Sequence, residues 1–338
     1  MKLKKGVILA IAALTGLSLS IQAAEVVNNA TEIWKDTEGN PINAHGGGMM
    51  YDNGTYYWYG EYKGEYTYRS PGVGWECYRT MSGGVSCYSS KDLQNWKFEG
   101  VVMETDTTNT KSDIHPTMVI ERPKVLYNEK TGKYVMWMHI DSPNYSKASA
   151  GVAISDSPTG PFKFIESIHP NGHISRDITF YKDDDGKAYI FCSSEGNATL
   201  HIVELTDDYL KPSGVYTRNF PDKFREAPAV FKREGKYYII SSGCTGWDPN
   251  EAEYAVADCI TGPYTAYPNP CRGNDANKTF YCQSAFAFQV QGTNQYVIAF
   301  DRWDKRNLVD SRYVWLPINF EGAEITVPWQ DRLQFVTE

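Results

Sequence analysis

The sequence predicts an all-β chain folded as a five-bladed β-propeller. Three observations carry that expectation. First, one pattern recurs five times: HGGGMMYDNGTYYWYGE (45–61), ERPKVLYNEKTGKYVMWMH (121–139), RDITFYKDDDGKAYIFCSS (176–194), REAPAVFKREGKYYIISSG (225–243) and CQSAFAFQVQGTNQYVIAF (282–300). Each has a polar opening, an apolar strand, a Gly or Asx turn and an aromatic-rich strand, which is a β-hairpin signature. Second, the copies are spaced as blades are. The aromatics that begin the second strands are Tyr56, Tyr134, Tyr189, Tyr237 and Tyr296, with gaps of 78, 55, 48 and 59 residues. A four-stranded blade needs roughly 40–50 residues. Third, no helix-period segment occurs after the N-terminal apolar run. Radial repetition of five hairpins suits these facts best.

Taken in order, the first hairpin is followed by 62–85, rich in Gly, Tyr and charge. It accounts for the longest gap and reads as a loop that shapes an entrance. The outer halves of the blades then repeat as SSKDLQNWKFEG (89–100), SDSPTGPFKF (155–164) and ADCITGPYTAY (257–267), with HIVELTDDYLKPSG (201–214) as a degenerate copy. Aromatics make up 14% of the chain, including 24 Tyr and 9 Trp, and strand packing accounts for most of them.

The N-terminus has the three parts of a signal peptide. Lys2, Lys4 and Lys5 precede an apolar run from Gly6 to Leu19, and Ala23-Ala24 supplies a small-residue cleavage site. Residues 1–23 are therefore expected to be removed. Residues 24–338 then form one propeller domain, exported to the periplasm or beyond, with no membrane span and no appended module. Loss of three lysines takes the formal charge from −8 to −11. Such an acidic protein is a poor partner for nucleic acid or an anionic membrane. Seven cysteines without a CxxC exclude a zinc ribbon or thioredoxin site. Cys192, Cys244 and Cys282 read as buried small hydrophobes. Cys77–Cys87 and Cys259–Cys271 are left open as loop disulfides.

Several motifs fail on context. HGGG (45–48) lacks the G-x-S-x-G elbow that an esterase oxyanion hole requires. Its glycines suit close approach of a strand to its neighbours or to a ligand. Asp183-Asp184-Asp185-Gly186 falls at a hairpin turn and lacks the ligand spacing of a calcium loop. No histidine pair has metal-ligand spacing, so no metal site is expected.

In a propeller the first strand of each blade lines the central channel, so the residues opening those strands converge. Here they are His45, Glu121, Asp177, Glu226 and Gln283. Arg122 and Arg176 flank two of the acids and could hold a carboxylate ionised. Glu226 precedes Ala-Pro-Ala-Val-Phe, an apolar run that would raise its pKa. A ring of acids at a channel mouth suits acid–base chemistry on something neutral and polar.

Arg176-Asp177 with Phe180 and DDDGKAYI, and Glu226-Ala-Pro with GKYY, resemble glycoside hydrolase family 43 along the whole mature chain. That resemblance implies a five-bladed propeller and inverting hydrolysis, with Glu226 as general acid and Asp177 as the carboxylate that tunes it. Most of the family keeps its base Asp in an A-D-P motif on the first strand. This chain has AHGGG there. Together with ERPKV (121–125), YCQSAF (281–286) and DSRYVWLPI (310–318), the replacement resembles the exo-β-1,3-galactanase subgroup. The subgroup implies Gln283 as the residue that positions the attacking water, with Glu121 as the alternative base. It implies Glu76, Tyr145, Asn197 and Thr245 as galactose contacts. The expected substrate is β-1,3-galactan, such as an arabinogalactan backbone, cut from its non-reducing end by a monomer that needs no cofactor. A structural calcium in the channel is left open by the family resemblance. Two rivals stand beside this reading: an α-L-arabinofuranosidase or β-xylosidase on the same fold, and a non-catalytic sugar-binding propeller.

Overall fold

The computed structural model describes residues 24–28 and 32–335. The signal peptide expected at 1–23 lies outside the described residues. Five sheets form the five blades, antiparallel throughout except where Cys271–Arg272 pairs parallel with Glu324–Pro328 at the edge of blade five. Their innermost strands are His45–Asp52, Val119–Asn128, Arg176–Lys182, Arg225–Arg233 and Gln283–Gln289. Each packs against the next, and the fifth packs against the first, so the ring closes. The expected hairpins are present in all five blades. In the first, Asn53 and Gly54 have φ of 46° and 79°. Positive φ at both central residues is what a tight hairpin turn needs to match strand twist.

The chain ends close the ring in a separate ribbon. Ala24–Val27 pairs antiparallel with Arg332–Phe335. Asn28 accepts the Trp315 N–H at 2.8 Å and donates to the Trp315 carbonyl, which pins the N-terminal segment to blade five. Trp34, Trp58, Trp96 and Trp315 pack edge-on in the seam between blades five and one. Much of the aromatic content thus lies between blades, where large rings fill the wedge between twisted sheets.

The segment 62–85 is not an irregular loop. The second and third strands of blade one run to Thr55–Arg69 and Tyr78–Ser90, and they pair as far as Arg69 with Tyr78. The alternation in YKGEYTYR continues the strand period, so the insertion extends the hairpin into a ribbon. Nor are the candidate disulfides formed; all seven cysteines are free thiols. Cys271 is buried between blades four and five while Cys259 is exposed, and Cys87 is committed to the seam between blades one and two.

A bulge lies near the start of every innermost strand. Register shifts fall between His45 and Gly48, Glu121 and Lys124, Arg176 and Thr179, Glu226 and Ala229, and Ser284 and Phe286. In four blades the first residue of the bulge is left-handed: Gly46 (59°), Arg122 (54°), Asp177 (39°) and Ala227 (54°). The repeat therefore aligns Arg176, not Asp177, with Glu121 and Glu226. Asp177 shares its place with Arg122, and the bulge turns both inward. The HGGG glycines serve this approach. A Cβ on Gly46 would lie 2.2 Å from Glu61 Oε1, and one on Gly47 would lie 1.9 Å from the Tyr59 carbonyl oxygen.

Candidate active site

The bulged ends of the strands open into a cavity of about 360 Å³. Four acids line it: Glu61, Glu121, Asp177 and Glu226. Arg122 and Arg176 lie among them, and Trp75, Tyr145, Trp247 and Trp303 form its walls.

Arg122 organises the centre. Its Nε is 3.1 Å from Asp177 Oδ1, one terminal N–H donates to Gln283 Oε1 at 2.7 Å, and the other to the Ser284 carbonyl at 2.9 Å. Arg122 thus serves Asp177 from the adjacent blade, rather than its sequence neighbour Glu121. Arg176 likewise pairs away from Asp177, with Asp141 at 3.5 Å and Asn197 at 3.3 Å. Asp177 also accepts the Ala227 N–H at 3.0 Å. That bond ties it to the strand carrying Glu226.

Glu226 and Glu121 are set to opposite charge states. Burial pushes the Glu226 carboxyl up, the Asp177 charge pushes it further, and it stands at about 8. Burial would also raise Glu121, but the His139 imidazolium, Lys63 and the Tyr145 hydroxyl bring it down to about 2. Tyr145 Oη donates to Glu121 Oε1 at 2.5 Å, and His139 Nδ1 lies 3.2 Å from Oε2. Burial opposes charge on His139. Asp141 on one side and Glu121 on the other outweigh it and raise the imidazole to about 9. Glu61 is raised by burial and meets Lys63 Nζ at 2.6 Å.

Gln283 has all four of its hydrogen-bonding positions filled. Its oxygen accepts from Arg122 and, at 2.9 Å, from Trp303 Nε1. Its nitrogen donates to Glu226 Oε1 at 3.1 Å and to Ser242 Oγ at 3.0 Å. Both partners of the oxygen are donors only, so the amide has one allowed orientation.

The remaining sequence candidates separate into two groups. Tyr145 and Asn197 line the cavity. Glu76 is ion-paired to Lys305 at 2.6 Å outside the lining, and Thr245 donates to the Asp248 carbonyl within its own loop. His45 is fully buried, stacked on Tyr313 at 5.1 Å, and outside the cavity. Among the lining residues that escaped sequence reasoning as site members are Glu61, His139, Cys244 and Trp303. A usable signal existed for two. In the hairpin register Glu61 pairs with His45 and His139 pairs with Glu121, so counting back across each turn from a strand opener finds them.

Glu121, His139 and Asp177 bring three donor atoms within 4.8 Å of one another. They do not fit the calcium left open by the sequence. Arg122 occupies Asp177 Oδ1, and His139 is a cation held between two carboxylates. A dication would sit against both positive charges.

Residues 39–301 match the family described as glycosyl hydrolases family 43. The chain belongs to that family. A solved family 43 β-1,3-galactosidase with galactodeoxynojirimycin is 40% identical; the match covers 92% of this chain and 100% of that one, with a TM-score of 0.84. An exo-β-1,3-galactanase from Phanerochaete chrysosporium, solved as a Glu-to-Gln variant with β-1,3-galactotriose, is 31% identical over 92% of this chain and 68% of that one, with a TM-score of 0.81. Among curated proteins, the β-D-galactofuranosidase of Aspergillus niger is 30% identical over 173 residues, which is 48% of this chain and 49% of that one. The alignment thus spans about half of that relative's length. Within family 43 the chain is a glycoside hydrolase, which removes the non-catalytic propeller from consideration.

Proposed function

We propose that this chain is an exported, exo-acting, inverting β-1,3-galactanase that releases galactose from the non-reducing end of the polymer. The observation that carries the reading is the pair of carboxyls in one cavity. Glu226 keeps its proton to about pH 8, while Glu121 is ionised from about pH 2 upward. Inverting cleavage needs that combination: an acid for the leaving oxygen and an acceptor for water on the opposite face. The aromatic walls suit stacking on the apolar face of a sugar. The galactosidase and galactanase likenesses choose galactose among the sugars such a site could take.

In the reaction, Glu226 gives its proton to the glycosidic oxygen as the bond from C1 breaks. Asp177, ion-paired to Arg122, adds to burial in raising the pKa of Glu226. Water adds to C1 from the far side and becomes acidic as it bonds. Its proton passes to a cavity base, for which we assign Glu121. A carboxylate of low pKa is a weak base, and late proton loss suits it. Gln283, favoured by the subgroup resemblance, has no free lone pair until Arg122 or Trp303 releases it. In the arrangement described it orients the Glu226 carboxyl. Product analysis tests the reading: β-1,3-galactan should yield galactose as the first product. Release of arabinose from arabinan or xylose from xylan, with none of galactose, overturns it.

A further inference from the structure

Three blades each send one tryptophan into the cavity wall, and charged neighbours of all three meet at one point. Trp75 is followed by Glu76 at the tip of the blade-one ribbon. Trp247 is followed by Asp248, between the second and third strands of blade four. Trp303 is followed two residues later by Lys305, beyond the second strand of blade five. Lys305 Nζ lies 2.6 Å from Glu76 Oε2 and 2.8 Å from Asp248 Oδ1. Two of the rings touch each other, and the third packs on Tyr145 and beside Gly246. Trp247 and Trp303 pack edge-on at 5.3 Å, Trp75 packs edge-on against Tyr145 at 5.6 Å, and a Cβ on Gly246 would touch Trp75 at 3.5 Å. Two links lead inward from here. Trp303 Nε1 donates to Gln283, and Leu308 N–H donates to Thr67 Oγ1 of the ribbon at 2.8 Å. The Trp247 Nε1–H is buried without a partner, a donor left for a hydroxyl of whatever occupies the cavity.

We infer that Lys305, with Glu76 and Asp248, is an ionic clasp that positions the three-tryptophan wall and thereby sets how tightly the site holds the end of a galactan chain. The inference rests on the glycosidase reading of the cavity and adds a specificity device to it. Lys305 touches no reacting atom and is a positioning residue. Glu76, Asp248 and Lys305 sit on three separate loops with no backbone–backbone hydrogen bonds between those loops among the described residues, so the two ion pairs join them beside the Leu308–Thr67 bond and the Trp247–Trp303 contact. Exposed ion pairs contribute little to global stability. Their effect here is local, on where the loops sit. A surface clasp of this kind weakens with salt: the Debye length falls from about 30 Å at ~0.01 M to about 3 Å at ~1 M.

The test compares the parent with Lys305→Ala and Lys305→Arg. For the parent, KM on β-1,3-galactan should rise several-fold between ~0.01 and ~1 M salt. Lys305→Ala should raise KM at low salt by about tenfold with a much smaller change in kcat, and should lose the salt dependence. Lys305→Arg should restore both. A second readout needs no substrate: acrylamide quenching of tryptophan fluorescence should increase in Lys305→Ala at low salt and match the parent at high salt. If KM, salt response and quenching in Lys305→Ala all equal the parent's, the clasp is overturned. If galactan is not cut by the parent but quenching still follows Lys305 and salt, the clasp stands and the galactanase reading fails.

Discussion

Glu226 and Glu121 occupy the same backbone position in blades four and two. Each lies near the start of an innermost strand, each is followed by a residue at positive φ, and each is the last paired residue before a bulge. Both are largely, though not fully, buried in the cavity wall. Yet one carboxyl stands at about 8 and the other at about 2. The repeat therefore supplies placement, and neighbours from other parts of the ring supply chemistry. Around Glu226 the nearest strong charge is Asp177, a second carboxylate. Around Glu121 are His139, Lys63 and the Tyr145 hydroxyl. Blade three takes the comparison further: Arg176 holds the same position and carries a cation.

The comparison breaks most severely if the proton is taken from Glu226. Glu226→Gln should lower the rate on β-1,3-galactan by a factor on the order of 10² or more, the usual cost of losing a general acid. An aryl galactoside with a good leaving group needs less protonation and should be spared much of that loss. Steady-state rates on the two substrates check this. Equal losses on both would remove Glu226 from the acid role.

On the other side of the comparison, Glu121→Ala should be close to inactive and should recover with azide. A small anion can attack C1 from the face that water used, giving a galactosyl azide of inverted configuration. Gln283→Ala should lose less, because it disturbs the orientation of Glu226 without removing the proton acceptor. Product NMR separates the outcomes. Azide rescue of Gln283→Ala, with none for Glu121→Ala, would return the base role to Gln283.

The fold was legible because its signals are local. Turn residues, two-residue alternation and polar strand openers recur within each hairpin, and five hairpins at blade spacing leave little choice of architecture. The strand pattern made the site legible only near the starts of innermost strands, and the subgroup resemblance added Tyr145 and Asn197. Glu121, Asp177, Glu226 and Gln283 were found from the strand pattern. His45 was found too, but its strand carries three glycines past the bulge, and the imidazole packs back against Tyr313. What sequence could not show is which groups meet across blades. Arg122 follows Glu121 in the chain but pairs with Asp177, because positive φ at Arg122 swings its side chain toward the adjacent blade. The subgroup resemblance implied Glu76 as a sugar contact. Only the length of the ribbon, set by pairing out to Arg69 and Tyr78, shows that it reaches Lys305 instead.

Asp177→Asn sharpens the comparison without removing either carboxyl. Its negative charge, after burial, is what keeps Glu226 protonated at neutral pH. Without it, the pKa of Glu226 should fall. Activity that needs the acid form should then be lost at lower pH, so the alkaline limb of the pH–rate profile should move down from about 8. The peak rate should fall as well, since the Ala227 N–H loses an ionised acceptor. A pH profile of kcat/KM from pH 4 to pH 10 reads both effects. An unmoved alkaline limb would count against Asp177 as the tuning group.

The smallest effect is expected at the acidic limb, from His139→Gln. His139 is a cation up to about pH 9, held there by Asp141 and Glu121 despite complete burial. Its charge is the largest favourable influence keeping Glu121 ionised. Glutamine can still donate a hydrogen bond but carries no charge. Glu121 should then titrate nearer the ordinary carboxylate range, and the acidic limb of kcat/KM should move up in pH while the alkaline limb, set by Glu226, stays in place. Stability provides an independent reading. Glu121 has a depressed folded pKa, so it contributes stability above its unfolded pKa of about 4.5, and that contribution is lost as pH falls toward 2. His139 has a raised folded pKa, so its contribution is full below about 6.5 and disappears as pH rises through 9. In the parent both contributions coexist between about pH 4.5 and 6.5. The variant should therefore lose most Tm relative to the parent in that window, and the difference should shrink toward pH 9. A Tm difference constant across pH would mean that His139 matters through packing alone. The opposite ionisation of the two glutamates would then rest on Lys63 and Tyr145.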